Sequence, residues 1–385
     1  MSHSKLYHEV AEMYAATFGS KQLAVSTEEN QYDLAVVIGR FEPLHVGHQI
    51  LLNKAFMVAD KVLVLIGSSH APRTIKNPFT YDERSQMVIQ AAGTSNIFTA
   101  PLVDNLYSDD EWVTSVQNEV ATVLLAGKGW TDKDVKSKVA IVGNKKDESS
   151  YYLDLFPQYD YVAVDEVKLG FDATAIREVI FEKPGFIELL KSLVPEYTFS
   201  FIKEFIKTPE YLRLGREYKM VQKYKDSWKA APYAPTFVTV DAIVKKAGHI
   251  LMVKRKAAPG EGLLALPGGF LEQNERLEDA AIRELQEETS IDLPRGLLSG
   301  SMSAGVVFDH PGRSLRGRTI SHAFLFDLDK SDKKPGLPKV KGGDDAVAST
   351  ALQKATDWYE IDYVLSHAEL IFEDHSSIIR KMLGI

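Results

Sequence analysis

The stretch "DLAVVIGRFEPLHVGHQILLNKAFMVADKVLVLIG", residues 33–67, constrains the fold more than any other part of the chain. An apolar, β-branched run ends in Gly39, and a turn carrying two histidines follows. Ile50, Leu51, Ala55, Phe56 and Ala59 then recur at helical spacing before a second β-branched run. That succession is a strand, a helix and a strand, a βαβ unit. Further strands are expected at 138–143 and 159–164, with helices near 81–92 and 110–126. The first half therefore reads as an α/β domain on an open, mostly parallel sheet.

The chain, at 385 residues, is long enough for two domains. Its character changes after about residue 190, where residues 191–234 are helical and amphipathic without strand signals. Two prolines in "AAPYAP" then precede "FVTVDAIV", which reads as the entry strand of a new domain with "GHILMVKRK" as its hairpin partner. Short strands at "SAGVVFD" and "ISHAFLFDL", a helix over 278–289 and a C-terminal helix make this half α+β. The expected boundaries are an N-terminal extension over 1–30, a first domain over 31–190, a connecting segment over 191–234 and a second domain over 235–385.

Composition narrows the chemistry. Forty-five basic against 53 acidic residues give a net charge of −8, which points to neither nucleic acid nor an anionic membrane as partner. No cysteine is present, so disulfide scaffolds, thiolate metal sites and cysteine nucleophiles are excluded, and any metal must be held by oxygen or imidazole. The first thirty residues lack the apolar core of a signal peptide, and no stretch reaches the length of a membrane span, so a cytoplasmic location is expected. A homo-oligomer is left open.

Two places carry candidate chemistry. At "GRFEPLHVGH" a strand ends in Gly39 and a helix opens near Gly47, an arrangement expected to present free backbone N–H groups and a helix dipole to phosphate. His45 and His48 can converge on one phosphate there, and Arg40 adds a guanidinium at the rim. In "ERLEDAAIRELQEET", Glu284 and Glu288 share a helix face with Leu277, Ala281 and Leu285. Carboxylates on an apolar face are costly unless compensated. A hard divalent cation among Glu284, Glu287 and Glu288 supplies that compensation, and Arg283 and Glu287 form an i, i+4 pair.

The first motif resembles the H-x-G-H signature of the nucleotidyltransferase superfamily, and "GRF" is similar to the archaeal-type nicotinamide mononucleotide adenylyltransferases. A second signature of that superfamily, S-x-T-x-I-R, is matched by "DATAIR". The resemblance implies a Rossmann-like fold, with His45, His48, Arg40 and Arg177 catalytic and Thr174 gripping ATP phosphates. Gly39, Phe41 and Gly47, with Asn77 and Arg84 in "NPFTYDER" and Trp112 in "NLYSDDEW", are then substrate-binding, with Trp112 a stacking platform and Arg84 a structural or phosphate contact. Asp172, where the family has serine, is expected to cap its helix.

Gly269, Glu275 and "RELQEE" resemble the Nudix box, with Ser290 in place of the family's final glycine. The implied chemistry is hydrolysis of a nucleoside diphosphate derivative. Magnesium or manganese would sit on Glu284, Glu287 and Glu288, with Glu287 and Glu288 catalytic and Gly268, Gly269, Arg316 and Arg318 binding substrate. Asp344 or Asp345 would supplement the metal. Leu264 stands where an aromatic residue is common. In order and extent the chain resembles bifunctional adenylyltransferase/Nudix proteins, which implies ATP, nicotinamide mononucleotide, NAD and ADP-ribose as small-molecule partners. The sequence also admits a different phosphate acceptor for the first domain, or a second domain that senses nucleotide with little turnover.

Overall fold

The structure, a computed structural model, describes residues 31–126, 137–145, 148–164, 172–341 and 356–385. The chain divides into two compact units at Gly215/Arg216. No helix among the described residues is long and apolar enough to cross a membrane.

The first unit is wound around five strands, β1 (Leu34–Gly39), β2 (Val62–Ile66), β3 (Ile97–Pro101), β4 (Val139–Gly143) and β5 (Asp160–Ala163), in the order β3-β2-β1-β4-β5. Every neighbouring pair is parallel. β1 and β2 are covered on both faces, with Leu34–Val37 and Val62–Ile66 at 0% exposure, which is why they read as unbroken apolar runs. Helices α1 (Val46–Val58), α2 (Tyr81–Ala92) and α3 (Asp109–Leu125) alternate with the strands, and α4 (Ala173–Glu182) follows β5. Val116 and Val120 of α3 pack on Leu34, Val36, Leu63 and Leu65. Because strand order reverses between β1 and β4, a crevice opens beyond their carboxyl ends, the usual ligand position in such sheets.

Two helix starts are fixed by their sequences. Thr80 caps α2, accepting from the Glu83 N–H at 3.3 Å while Glu83 accepts from the Thr80 N–H at 2.8 Å. Asp172 caps α4 by accepting from the Ala175 N–H at 2.9 Å, as its sequence suggests. Next come α5 (Glu196–Phe205), which buries Phe199, Ile202 and Phe205, and α6 (Pro209–Ser227), within which the division between the units falls.

The second unit is a mixed sheet. Its main path runs β10 (Val306–Phe308), β11 (Arg318–Asp327), β6 (Thr236–Lys246), β7 (His249–Lys254) and β12 (Thr356–Glu360). β8 (Leu264–Ala265) pairs with β7 and β9 (Gly268–Phe270) with β6. β11 and β6 are parallel over ten residue pairs, and the other neighbours are antiparallel. Helix α7 (Leu277–Thr289) lays Ala281, Ile282 and Leu285 on Val240, Ala242, Leu251 and Phe326. Its last turn closes at Ser290, which adopts the left-handed conformation at φ 43°.

Candidate functional site

At the carboxyl end of β1 the two histidines cap their own helix. His45 Nδ1 accepts from the Gly47 N–H at 3.0 Å, and His48 Nδ1 accepts from the His45 N–H at 3.3 Å. With both Nδ1 atoms accepting, each ring carries its proton on Nε2. The rings lie together, centroids 3.9 Å apart, and the Phe41 ring supports His48 at 4.6 Å.

This arrangement changes what the helix mouth offers. The sequence suggests free backbone N–H groups there, but Val46 donates to the Leu193 carbonyl and Gly47 to His45 Nδ1. His48 and Gln49 both donate to the His45 carbonyl. Donors for an anion are therefore the imidazoles and nearby cations, because the backbone donors are engaged by His45 Nδ1 and by the Leu193 and His45 carbonyls.

Those cations come from two loops and from helix α4. Arg40 is exposed, and its side-chain stem passes Gly67, whose added Cβ would lie 3.5 Å from the Arg40 Cγ. Arg177 is 8% exposed and donates to the Glu42 carbonyl at 2.7 Å and to Thr174 Oγ1 at 3.2 Å. Lys76, which motif reading overlooks, has its ammonium pushed below its usual pKa by burial and by Arg40, with Asp104 opposing. Its loop is held by Thr74, whose Oγ1 accepts from the N–H groups of Lys76 and Asn77.

Two expected substrate contacts are relocated beneath the site. Arg84 is 1% exposed; it donates through Nη1 to the Arg40 and Gly67 carbonyls, each at 2.7 Å, through Nη2 to the Ser68 carbonyl at 3.1 Å and through Nε to the Thr80 carbonyl at 3.2 Å. Its partner is the buried Glu42 carboxylate at 3.1 Å. Burial raises the Glu42 pKa to about 8 against the pull of Arg84. A guanidinium so committed holds the turn and does not reach substrate. Phe41, 1% exposed at φ 55°, likewise supports His48, and its ring lies 3.2 Å from where a Cβ on Gly39 would stand. Trp112 is half-buried against Tyr152 and Phe156 at 5.8 and 5.7 Å. Asn77 has a buried Oδ1 without a partner among the described residues.

The second unit holds a cavity of about 470 Å³. One wall is the glutamate helix: Glu284 and Glu288 line the cavity, while Glu287 is 60% exposed and outside it. Gly268 donates its N–H to Glu288 Oε2 at 3.0 Å. A Cβ on Gly269 would stand 2.5 Å from Glu284 Oε1, so the double glycine makes room for a carboxylate. Arg283 ties the wall together, gripping Glu275 through Nε at 2.9 Å and Nη2 at 2.6 Å while Nη1 reaches Glu284 at 2.9 Å and Glu287 at 3.0 Å. That grip lowers the Glu275 pKa, whereas burial raises that of Glu284.

Among the described residues no three acidic or imidazole side chains already form a metal-holding cluster. Glu284 and Glu288 nevertheless give an all-oxygen donor pair at a glycine-cleared wall, which fits a hard divalent ion. Glu287 shares Arg283 Nη1 with Glu284 but lies outside the cavity. Asp344 and Asp345 lie outside the described residues.

The rest of the cavity combines basic and aromatic side chains that carry no motif. Lys254, Arg255 and Lys256 line it, Arg316 lies over the Phe270 ring at 5.1 Å, and Arg255 lies over the Phe372 ring at 3.9 Å. Its floor is a charged network: Arg313 grips Asp374 with two 2.9 Å bonds, and His375 Nδ1 accepts from the Leu266 N–H at 2.9 Å and turns Nε2 toward Asp241 at 3.7 Å. Leu264, 7% exposed, is not part of the lining; the aromatic faces come from Phe270 and Phe372. Arg318 also lies outside the lining, bonded to the Asp309 carbonyl.

Comparison with known proteins matches each unit. Residues 36–179 fit the Cytidylyltransferase-like family and residues 235–381 the NUDIX domain family. A crystal structure of a bifunctional NMN adenylyltransferase/ADP ribose pyrophosphatase from Francisella tularensis, complexed with AMP and a manganese ion, is 36% identical with a TM-score of 0.79, covering 92% of this chain and 99% of that one. The chain belongs to this bifunctional family. The Nudix unit is also 35% identical over 170 residues to an ADP-ribose pyrophosphatase of Methanocaldococcus jannaschii, covering 44% of this chain and 86% of that one. The adenylyltransferase unit is 32% identical over 192 residues to a nicotinamide/nicotinic acid mononucleotide adenylyltransferase of Acinetobacter baylyi, covering 49% of this chain and 95% of that one.

Proposed function

We propose that the first unit joins nicotinamide mononucleotide to ATP, forming NAD and pyrophosphate, and that the Nudix unit hydrolyses ADP-ribose to AMP and ribose 5-phosphate. For the first reaction the carrying observation is the His45–His48 pair, whose Nε2 protons are set by two backbone bonds. The acceptor phosphate attacks the α-phosphorus in line, and the imidazoles donate to oxygens whose negative charge grows in the transition state. Arg40, Lys76 and Arg177 offset the charge of the departing pyrophosphate, and Thr174 supports Arg177. No covalent intermediate is needed, since the site works by positioning and charge.

For the second reaction the carrying observation is that Glu284 and Glu288 share one cavity with Lys254, Arg255 and Arg316. The basic side chains bind the pyrophosphate bridge, Phe270 and Phe372 offer faces to the base, and Arg283 keeps the glutamates in place. A divalent cation, magnesium in the expected case and manganese as substitute, would be held by Glu284 and Glu288 and would supply activation of water and charge neutralisation.

Product analysis tests both. Purified chain with magnesium, nicotinamide mononucleotide and ATP should yield NAD and pyrophosphate; a second tube with ADP-ribose should yield AMP and ribose 5-phosphate. Absence of NAD sinks the first assignment, and ADP-ribose bound without turnover makes the Nudix unit a sensor. Glu288→Gln should abolish hydrolysis while leaving NAD synthesis intact.

A further inference from the structure

Glu373 is a cavity residue that this chemistry leaves unused. It lies on the lining at φ 45°, a left-handed conformation that costs a glutamate about 1 kcal/mol or more. Its neighbours hold it there. Phe372 donates its N–H to the Leu264 carbonyl at 2.8 Å and lies under Arg255; Asp374 is gripped twice by Arg313; His375 accepts from Leu266. A strained residue fixed from both sides marks a site whose geometry serves something beyond packing.

Its carboxylate supplies the second observation. Oε1 is shielded from solvent and has no hydrogen-bond partner among the described residues, and in the same cavity Arg316 Nε is shielded and unpartnered. Burial raises the Glu373 pKa to about 7, against Arg316, a hydrogen bond from the Ser314 side chain and Arg313, whereas the charges acting on Glu284 are Arg283, Glu287 and Glu275. Glu373 thus belongs with Arg316 and Arg313, and Arg316 lies over the Phe270 ring, next to the glycines that face Glu284 and Glu288.

An acceptor and a planar donor beside an aromatic face match the edge of a 6-aminopurine, whose exocyclic amine donates and whose adjacent ring nitrogen accepts. We propose that Glu373 and Arg316 read that edge, making Glu373 the residue that selects adenine over 6-oxopurines in the Nudix cavity. A 6-oxopurine presents the reverse order, an acceptor at position 6 and a donor at N1, so a base held in the same orientation would set like against like at both groups. This rests on the reading of the cavity as a site for ADP-ribose, but selection can be measured without turnover.

The test is calorimetric binding of ADP-ribose and of its hypoxanthine analogue, IDP-ribose, to the full chain without metal, above the Glu373 pKa of about 7 so that the carboxyl is ionised. Wild type should prefer ADP-ribose by roughly 10- to 100-fold, the worth of one hydrogen bond to a charged group. Glu373→Gln should cut that preference to a few-fold. Glu373→Gly, which accepts the left-handed backbone without strain, should lose the preference while folding at least as well, with NAD synthesis as the control for an intact chain. Equal wild-type affinity for the two ligands overturns the proposal, as does an equal loss for both in the variants, which would place Glu373 on the shared ribose. Turnover of ADP-ribose with magnesium, measured separately, decides the underlying reading of function.

Discussion

The carbonyl oxygen of Glu42 accepts a 2.7 Å bond from Arg177, which lies 135 residues later in the chain. The Glu42 side chain faces the other way, to Arg84 at 3.1 Å and to the Phe79 N–H at 3.1 Å. One residue therefore ties the turn after β1 to helix α4 and to the start of helix α2.

Breaking that tie should cost stability and activity together. Arg84→Met removes the cation beside the buried Glu42 carboxyl and the donors to four carbonyls, an expected loss of about 3–5 kcal/mol. Arg40→Ala, at the exposed rim, should leave the melting temperature within a degree or two and lower kcat/KM for NAD formation about 100-fold. Thermal melts beside NAD assays separate the two, and an Arg84→Met protein of wild-type stability would contradict the buried-pair account.

Gly269→Ala places a methyl group where Glu284 Oε1 stands 2.5 Å away, so the carboxylate must move. ADP-ribose hydrolysis should fall by about two orders of magnitude with NAD synthesis unchanged. A loss below threefold would mean that the Glu284 position is unimportant for hydrolysis.

Ser290→Gly should stabilise the Nudix unit. Ser290 closes α7 at φ 43°, a conformation that costs a side-chain-bearing residue about 1 kcal/mol relative to glycine. Denaturant titration should show a gain near that size with hydrolysis unaltered; a loss of stability would show that the serine side chain matters.

The buried His375 should make the Nudix unit acid-sensitive. Burial, with Arg313, Arg255 and Arg316 nearby, holds its pKa down from 6.5 to about 3, with Asp374 opposing. The unfolded chain therefore takes up this proton first: the contribution is complete above pH 6.5 and is lost as pH falls toward 3. His375→Gln keeps an acceptor for the Leu266 N–H and removes the titration, so unfolding free energy between pH 4 and 6 should lose up to one proton of slope, about 1.4 kcal/mol per pH unit. An unchanged slope would count against a neutral buried imidazole.

Much of this was legible in the sequence because it is local. Runs such as "LAVVI" and "VLVLI" fill strands covered on both faces, and Glu284 beside Leu285 betrays a carboxylate at the edge of a core-facing helix. The H-x-G-H turn and the Nudix box are short segments whose geometry is set within one strand–turn–helix or one loop–helix, so their residues stay together in any fold that satisfies them. Arg84 stays open in the sequence between a structural and a phosphate role, because sequence shows a cation but not its burial. Lys76, Phe372 and Glu373 sit in segments with no repeating pattern.

The sequence by itself determined two domains, their order, a parallel sheet in the first and an acidic helix in the second, since periodicity and turn chemistry act over a few residues. Only the tertiary structure decided that the Leu193 carbonyl takes the Val46 donor at the helix mouth, that Arg84 holds a turn from beneath, and that Asp241, Arg313 and Glu373 meet in one cavity. Those outcomes depend on burial and on pairings between distant segments, and the free energy of a charge depends on which partners the fold brings within a few ångströms.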